Sequence, residues 1–267
     1  VICLAGLTRN SRDFHDLAMA LADAGETGRH VYALDYRGRG RSEHDPDWKN
    51  YSILVEVNDV LDFMTLKGLR HAAVVGTSRG GIVAMLMAVL RPASAGAVVL
   101  NDIGPIIESE GLGRIAAYVG RIPLPAHWEE ATQLVRDVNQ RQFPALTDGQ
   151  WAELARQYFN EENGLPSPAY DPALAKSLSQ MGEAIPQLWP QFVALSRVPV
   201  LVLRGEHSDI LSASTLDEMR QRHPRLDTYT VPGEGHAPLL KDAASIGVIA
   251  EFLERTDAEL HAGAAAA

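Results

Sequence analysis

The run His71-Ala72-Ala73-Val74-Val75-Gly76-Thr77-Ser78-Arg79-Gly80-Gly81-Ile82-Val83-Ala84-Met85-Leu86-Met87-Ala88 decides how this chain is read. An apolar, β-branched stretch passes through Gly-x-Ser-x-Gly into a helix-like one, which is the pattern of a nucleophile elbow. The backbone must reverse sharply after the strand, so the serine takes a strained conformation and the flanking glycines leave room where a Cβ would clash. Ser78 is then presented at a strand's carboxyl end, over a helix amino terminus that stabilises an anion. The pentapeptide alone also fits a plain strand-to-helix turn, so its meaning rests on its surroundings.

Those surroundings alternate short β-branched runs with longer helical patterns. Strands are expected over 1–4, 31–35, 72–76, 97–100, 200–204 and 228–231, and helices over 13–24, 54–66, 80–90, 212–221 and 243–254. Gly25, Gly68 and Pro92 act as stop or start signals. The alternation predicts an α/β fold with a mostly parallel sheet flanked by helices. Residues 105–196 break the rhythm, with many prolines, no convincing strand and about half of the aromatics, among them Tyr118, Phe143, Trp151 and Tyr158. This block is expected to be a helical cap inserted into a core made of 1–104 and 197–267. Its rings are read mainly as the cap's own core, with some free to line an apolar substrate pocket.

Composition narrows the partners. Acidic residues outnumber basic ones by 34 to 24, for a formal net charge of -10, which argues against general affinity for nucleic acid or an anionic membrane. No apolar run approaches the ~20 residues that span a bilayer. The expected partner is a small-molecule substrate, and the composition leaves the oligomeric state open. Arg37, Arg39 and Arg41 alternate with glycine in a loop, readable as an anion site or, more simply, as solvated charges. The single Cys3 excludes an intrachain disulfide, suits a reducing, cytoplasmic compartment, and reads as a small core residue of the first strand. A strand at Val1 implies that the natural sequence extends upstream, and 263–267 reads as a frayed tail.

A serine hydroxyl needs a base within hydrogen-bond reach, and the base needs a carboxylate to fix its tautomer. His236, in Gly233-Glu234-Gly235-His236-Ala237-Pro238, is the one histidine on a glycine-rich loop just after the last strand; the other eight are scattered without metal-ligand spacing. For the acid, Asp209 is expected, because Val200-Leu201-Val202-Leu203-Arg204-Gly205 is a strand that turns through glycine toward it. Asp102, after the strand ending Val98-Val99-Leu100, and Glu206 compete for the role. The oxyanion of acyl transfer needs backbone donors, assigned to the N–H groups of Arg79 and, through the turn at Gly6, of Leu7. No metal motif, phosphate loop or dinucleotide fingerprint accompanies these parts, so no cofactor or metal is expected.

Taken together, Ala5-Gly6-Leu7-Thr8-Arg9-Asn10, Asp35-Tyr36-Arg37-Gly38-Arg39-Gly40-Arg41-Ser42, the elbow, Gly205-Glu206-His207-Ser208-Asp209 and Gly235-His236 resemble the α/β-hydrolase superfamily, in its capped, serine-nucleophile branch. The resemblance covers nearly the whole chain. It implies a sheet of eight strands with one antiparallel, but the first strand here matches the family's third, so the N-terminal hairpin is missing and the strand over 31–35 becomes an edge. Ala5-Gly6 stands where many relatives carry His-Gly, and Arg79 where methionine, glutamine or leucine is commoner. Serine at the elbow argues against relatives that use aspartate there. Ala237 stands where relatives cleaving carbon-carbon bonds carry tryptophan, which favours esters and lactones over carbon-carbon cleavage. The expected chemistry is two-step hydrolysis through an acyl-enzyme by Ser78, His236 and Asp209, with a rate rising as pH passes about 6 to 7. A ligand sensor of slow or no turnover on the same fold is the competing reading.

Overall fold

Six strands pair side by side in parallel in the computed structural model, which describes residues 1–23, 28–180 and 186–265. They are β1 (Ile2–Leu4), β2 (Tyr32–Leu34), β3 (Ala72–Thr77), β4 (Ala95–Asn101), β7 (Val200–Gly205) and β8 (Leu226–Val231), in the order β2-β1-β3-β4-β7-β8. The expected parallel α/β sheet is therefore present, and the strand expected over 31–35 stands at its edge.

Strand residues alternate between two apolar layers because successive side chains point to opposite faces. Ile2, Leu4, Val74, Val98, Leu100, Val200 and Val202 face one layer with α2 (Ile53–Leu66), α3 (Arg79–Leu90) and α9 (Ala213–Arg222). Cys3, Val75, Val99, Leu201 and Leu203 face the other with α1 (His15–Ala22) and α10 (Ala243–Ala265). Cys3 is a core residue, as expected, and burial pushes its thiol up to about 12.

Local signals set the helix ends. Ser52 caps α2 by accepting from the Val55 N–H, and Ser212 caps α9 by accepting from the Thr215 N–H. The first expected helix is split into a short 3-10 turn, Ser11–Phe14, and α1, while Ala24 and Gly25 lie outside the described residues. The last helix continues through Ala265, so most of the expected frayed tail is helical; Ala266 and Ala267 lie outside the described residues. Among the described residues, no helix is long and apolar enough to cross a membrane.

Between β4 and β7 lie α4 (Ser109–Tyr118), α5 (Trp128–Asn139), α6 (Asp148–Tyr158), α7 (Leu174–Gln180) and α8 (Trp189–Ala194). The expectation that this stretch holds no strand is corrected. An antiparallel hairpin of β5 (Phe159–Glu162) and β6 (Leu165–Pro168) follows α6, turning at Asn163-Gly164 with both residues at positive φ. Trp151, Leu154, Val135 and Phe143 form a small core of its own, separate from the two layers on the sheet. The hairpin is fastened to the loop after β1: Arg12 donates to the Gln157 and Phe159 carbonyls and to Asn160 Oδ1, and Asn10 Nδ2 to the Gln157 carbonyl.

Candidate active site

Ser78 sits at the junction of β3 and α3 with φ 51° and ψ -112°, a conformation costing about 1 to 3 kcal/mol that the surroundings must hold in place. Glycine is required on both sides by close approach. A Cβ on Gly76 would stand 2.5 Å from the Gly80 carbonyl carbon, and one on Gly80 would collide with the Leu4 carbonyl oxygen. Although Ser78 occupies the N-cap position of α3, its hydroxyl makes no capping bond. It donates instead to His236 Nε2 at 2.9 Å, beside the unpaired amides that begin a helix.

The loop after β8 delivers His236. Its backbone N–H donates to Gln142 Oε1 at 2.7 Å, and Gln142 passes so close to Gly235 that a Cβ there would overlap it. Asn101 Nδ2 donates to the Pro238 carbonyl at 2.9 Å, which draws the loop over the end of β4. There the imidazole Nδ1 donates to Asp102 Oδ2 at 2.8 Å. Asp102 is fully buried, and its carboxylate also accepts from the Gly205 N–H at 2.9 Å and from Ser208 Oγ at 2.6 Å. A buried carboxylate is costly without such donors.

The expected acid, Asp209, is not brought to the imidazole. It forms a bidentate pair with Arg114 of α4, Nε to Oδ2 at 2.6 Å and Nη2 to Oδ1 at 2.8 Å, and accepts from Gln142 Nε2 at 3.1 Å. Burial alone would raise its pKa, but the Arg114 bond and charge outweigh this and hold it below the usual carboxylate range. The reason for the correction is positional: β4 lies beside β3 and under the histidine loop, whereas the turn after β7 carries Asp209 out beneath α4. That turn supplies donors to Asp102 through Gly205 and Ser208 instead of the acid. Glu206, the other competitor, accepts from the Gly233 N–H at 2.7 Å.

The Arg37-Gly38-Arg39-Gly40-Arg41 loop is neither an anion site nor simply a solvated one. Arg39 is buried and paired with Glu56 of α2 at 2.8 Å, and its Nε donates to the Leu7 carbonyl at 2.9 Å. Arg37 is paired with Asp45 and Asp59, both at 2.6 Å. Arg79 turns its side chain inward to the other oxygen of Glu56, at 2.6 Å. One buried carboxylate thus ties together the arginine that grips Leu7 and the arginine that follows Ser78. Gly6 accepts from the Arg9 N–H at 3.2 Å, closing a tight turn; in a trans peptide the Leu7 N–H then points away from that bond.

A cavity of about 80 Å³ adjoins these groups, walled by Ser78, His236 and the Gly6-Leu7-Thr8-Arg9 turn, and by Ile115, Tyr118, Phe143 and Tyr158 from the segment between β4 and β7. Three of the aromatics singled out in that segment face the cavity, while Trp128, Trp151 and Phe159 pack in its own core.

A sequence model described as the alpha/beta hydrolase family matches residues 1–246. The chain belongs to the alpha/beta hydrolase family. It is 33% identical over 263 residues to a 3-hydroxybutyrate-oligomer hydrolase of Cupriavidus necator, covering 94% of this chain and 87% of that one. It is 28% identical to a 2-(acetamidomethylene)succinate hydrolase of Mesorhizobium japonicum, over 86% of this chain and 79% of that one. Among solved structures it is similar to an alpha/beta hydrolase from Novosphingobium aromaticivorans, with a TM-score of 0.88, 38% identity, and coverage of 95% and 88% of the two chains. As an alpha/beta hydrolase it has a sheet of six parallel strands flanked by helices, where the resemblance implied eight strands with one antiparallel.

Proposed function

We propose that this alpha/beta hydrolase cleaves a carboxylic ester or lactone of a small, largely apolar substrate through an acyl-enzyme on Ser78. The observation that carries the reading is the hydrogen-bonded series Ser78 Oγ, His236 Nε2, His236 Nδ1, Asp102 Oδ2, at 2.9 and 2.8 Å. Ser78 Oγ attacks the carbonyl carbon while its proton passes to His236 Nε2, and Asp102 steadies the imidazolium and its tautomer. The tetrahedral oxyanion is held by the N–H groups of Leu7 and Arg79, each such donor contributing about 3 to 4 kcal/mol in comparable sites. His236 then gives its proton to the departing alkoxide oxygen. Water, deprotonated by the same imidazole, attacks the acyl carbon; the Ser78 Oγ–acyl bond breaks, Ser78 Oγ takes the proton back from His236, and the acid leaves. The segment 105–196 serves as a cap that sets substrate shape, a role supported by the six residues it contributes to the cavity wall.

The 3-hydroxybutyrate oligomers named for the Cupriavidus necator relative accord with this reading. Ala237, directly after His236, also favours it over carbon-carbon cleavage. The test is hydrolysis of a short p-nitrophenyl ester series by the wild type and by Ser78→Ala, with circular dichroism on both. The folded variant is expected to lose several orders of magnitude in kcat. A folded wild type that turns over no ester would overturn the reading and bring carbon-carbon cleavage or ligand sensing forward.

A further inference from the structure

Beside Ser78, the cavity contains a guanidinium for which the hydrolytic relay has no use. Arg9 is the only lysine or arginine among the described residues that line it. Its stem runs past Gly6: a Cβ built on Gly6 would lie 3.4 Å from Arg9 Cγ and 3.9 Å from Ser78 Cβ, so the two side chains flank the same glycine. One edge of the guanidinium is taken by Asp13, which accepts from Nε at 2.8 Å and from Nη2. One face is covered by the Tyr158 ring, whose centroid lies 3.5 Å from Cζ. Nη1 remains, buried and without a hydrogen-bond partner. Arginine does not shed its protons, and a buried donor without an acceptor has lost its bonds to water and gained none in return.

The other walls say what would complete it. Phe14, Ile115, Phe143 and Leu240 are apolar, and Tyr158 spends its hydroxyl on Asn139 Oδ1 at 3.2 Å. Thr8, Tyr118, Asn139 and Gln157 are polar, so a fitting ligand is a mainly apolar acyl group that carries an oxygen acceptor for Nη1. Asp13 already balances the guanidinium charge and would repel a second carboxylate, which favours a neutral oxygen over an anionic one.

We infer that Arg9 is a specificity-determining residue whose Nη1 donates to a carbonyl or hydroxyl oxygen on the acyl part of the substrate. The preferred substrates are then esters of oxo- or hydroxy-acids and not of plain alkanoic acids. This inference rests on the ester reading above, and its test separates the two. Ethyl butyrate, ethyl 3-hydroxybutyrate, ethyl 3-oxobutyrate and monoethyl succinate are compared by pH-stat in the wild type and in Arg9→Met. The ratio of kcat/KM between variant and wild type cancels each ester's own reactivity. The 3-hydroxy and 3-oxo esters are expected to lose about tenfold or more relative to ethyl butyrate in Arg9→Met, the size of one charge-assisted hydrogen bond. The succinate monoester is expected to lose less; a greater loss for it alone would overturn the preference for a neutral oxygen. Equal losses for all four would overturn the inference.

Arg9→Met leaves Asp13 unpaired, so Arg9→Met with Asp13→Asn repeats the series in a chain without that partly buried charge. A second arm needs no turnover. Calorimetry on Ser78→Ala is expected to show 3-hydroxybutyrate binding about tenfold tighter than butyrate, the difference vanishing when Arg9→Met is added. Equal binding of the two acids, or binding of neither, overturns the role of Arg9. Failure of all ester turnover alongside an intact binding difference overturns the ester reading alone.

Discussion

Asp102 directly follows β4 and Asp209 lies in the turn after β7, and their oxygens meet different partners. Asp102 receives the imidazole, and Asp209 receives a guanidinium and an amide. Asp102→Asn would turn an amide toward Nδ1 and favour the wrong tautomer, so kcat is expected to fall by about four orders of magnitude, as it does in serine proteases. Asp209→Asn leaves the relay intact, and its kcat on the same ester is expected to stay within about tenfold of wild type. The reverse ranking would return the acid to the strand after the insertion. Asp209 also shapes the acid response. A depressed carboxyl pKa stabilises the fold at pH above the ordinary aspartate value of about 3.9, and this contribution is lost as pH falls through the lower folded-state value. Urea midpoints of wild type and Asp209→Asn are therefore expected to converge on acidification across that window. Ser78 and His236 were legible in the sequence because each is marked by glycines within a few residues. The acid was not, since choosing it depends on which strand end the histidine loop crosses, and no local pattern records that.

At the scale of elements, α2 carries more than its apolar face. Glu56 lies between Arg39 and Arg79, all three buried, and so joins the loop after β2 to the first turn of α3. Removing its charge leaves two buried guanidiniums facing each other, which costs about 3 to 5 kcal/mol in comparable pairs. Glu56→Gln is expected to lower the urea midpoint accordingly. It should also reduce kcat more than it changes KM, because Arg39 holds the Leu7 carbonyl. A variant of unchanged stability would show that the two arginines find other partners. The strands and helices of the sheet were readable from periodicity, as at Val98-Val99-Leu100, whose neighbours face opposite layers. The β5–β6 hairpin was obscured by Pro166 and Pro168, residues that normally demote a strand. Its turn nonetheless carried the strongest short hairpin signal, Asn163-Gly164. Arg39 misled for another reason: a loop arginine looks solvated until the helix that brings its carboxylate is in place.

Across the whole molecule, the relay hangs from β3, β4 and the loop after β8, while the cavity wall opposite it comes from the segment between β4 and β7. Ile115 lines that wall, and Ile115→Ala is expected to move the ester preference toward longer acyl chains, each added methylene that fills the space being worth about tenfold or more in kcat/KM. An unchanged chain-length profile would show that Ile115 does not bound the acyl site. Gln142 gives the division of labour a practical meaning. It belongs to the segment between β4 and β7, yet it holds the His236 amide with one end and Asp209 with the other. On the proposed cap role, transplanting this segment between relatives would transfer taste for substrate without touching the reactive groups, provided the graft brings its own amide to that spot. A graft lacking it would inherit a new appetite and a poorly seated base, and would be read, mistakenly, as an incompatible donor.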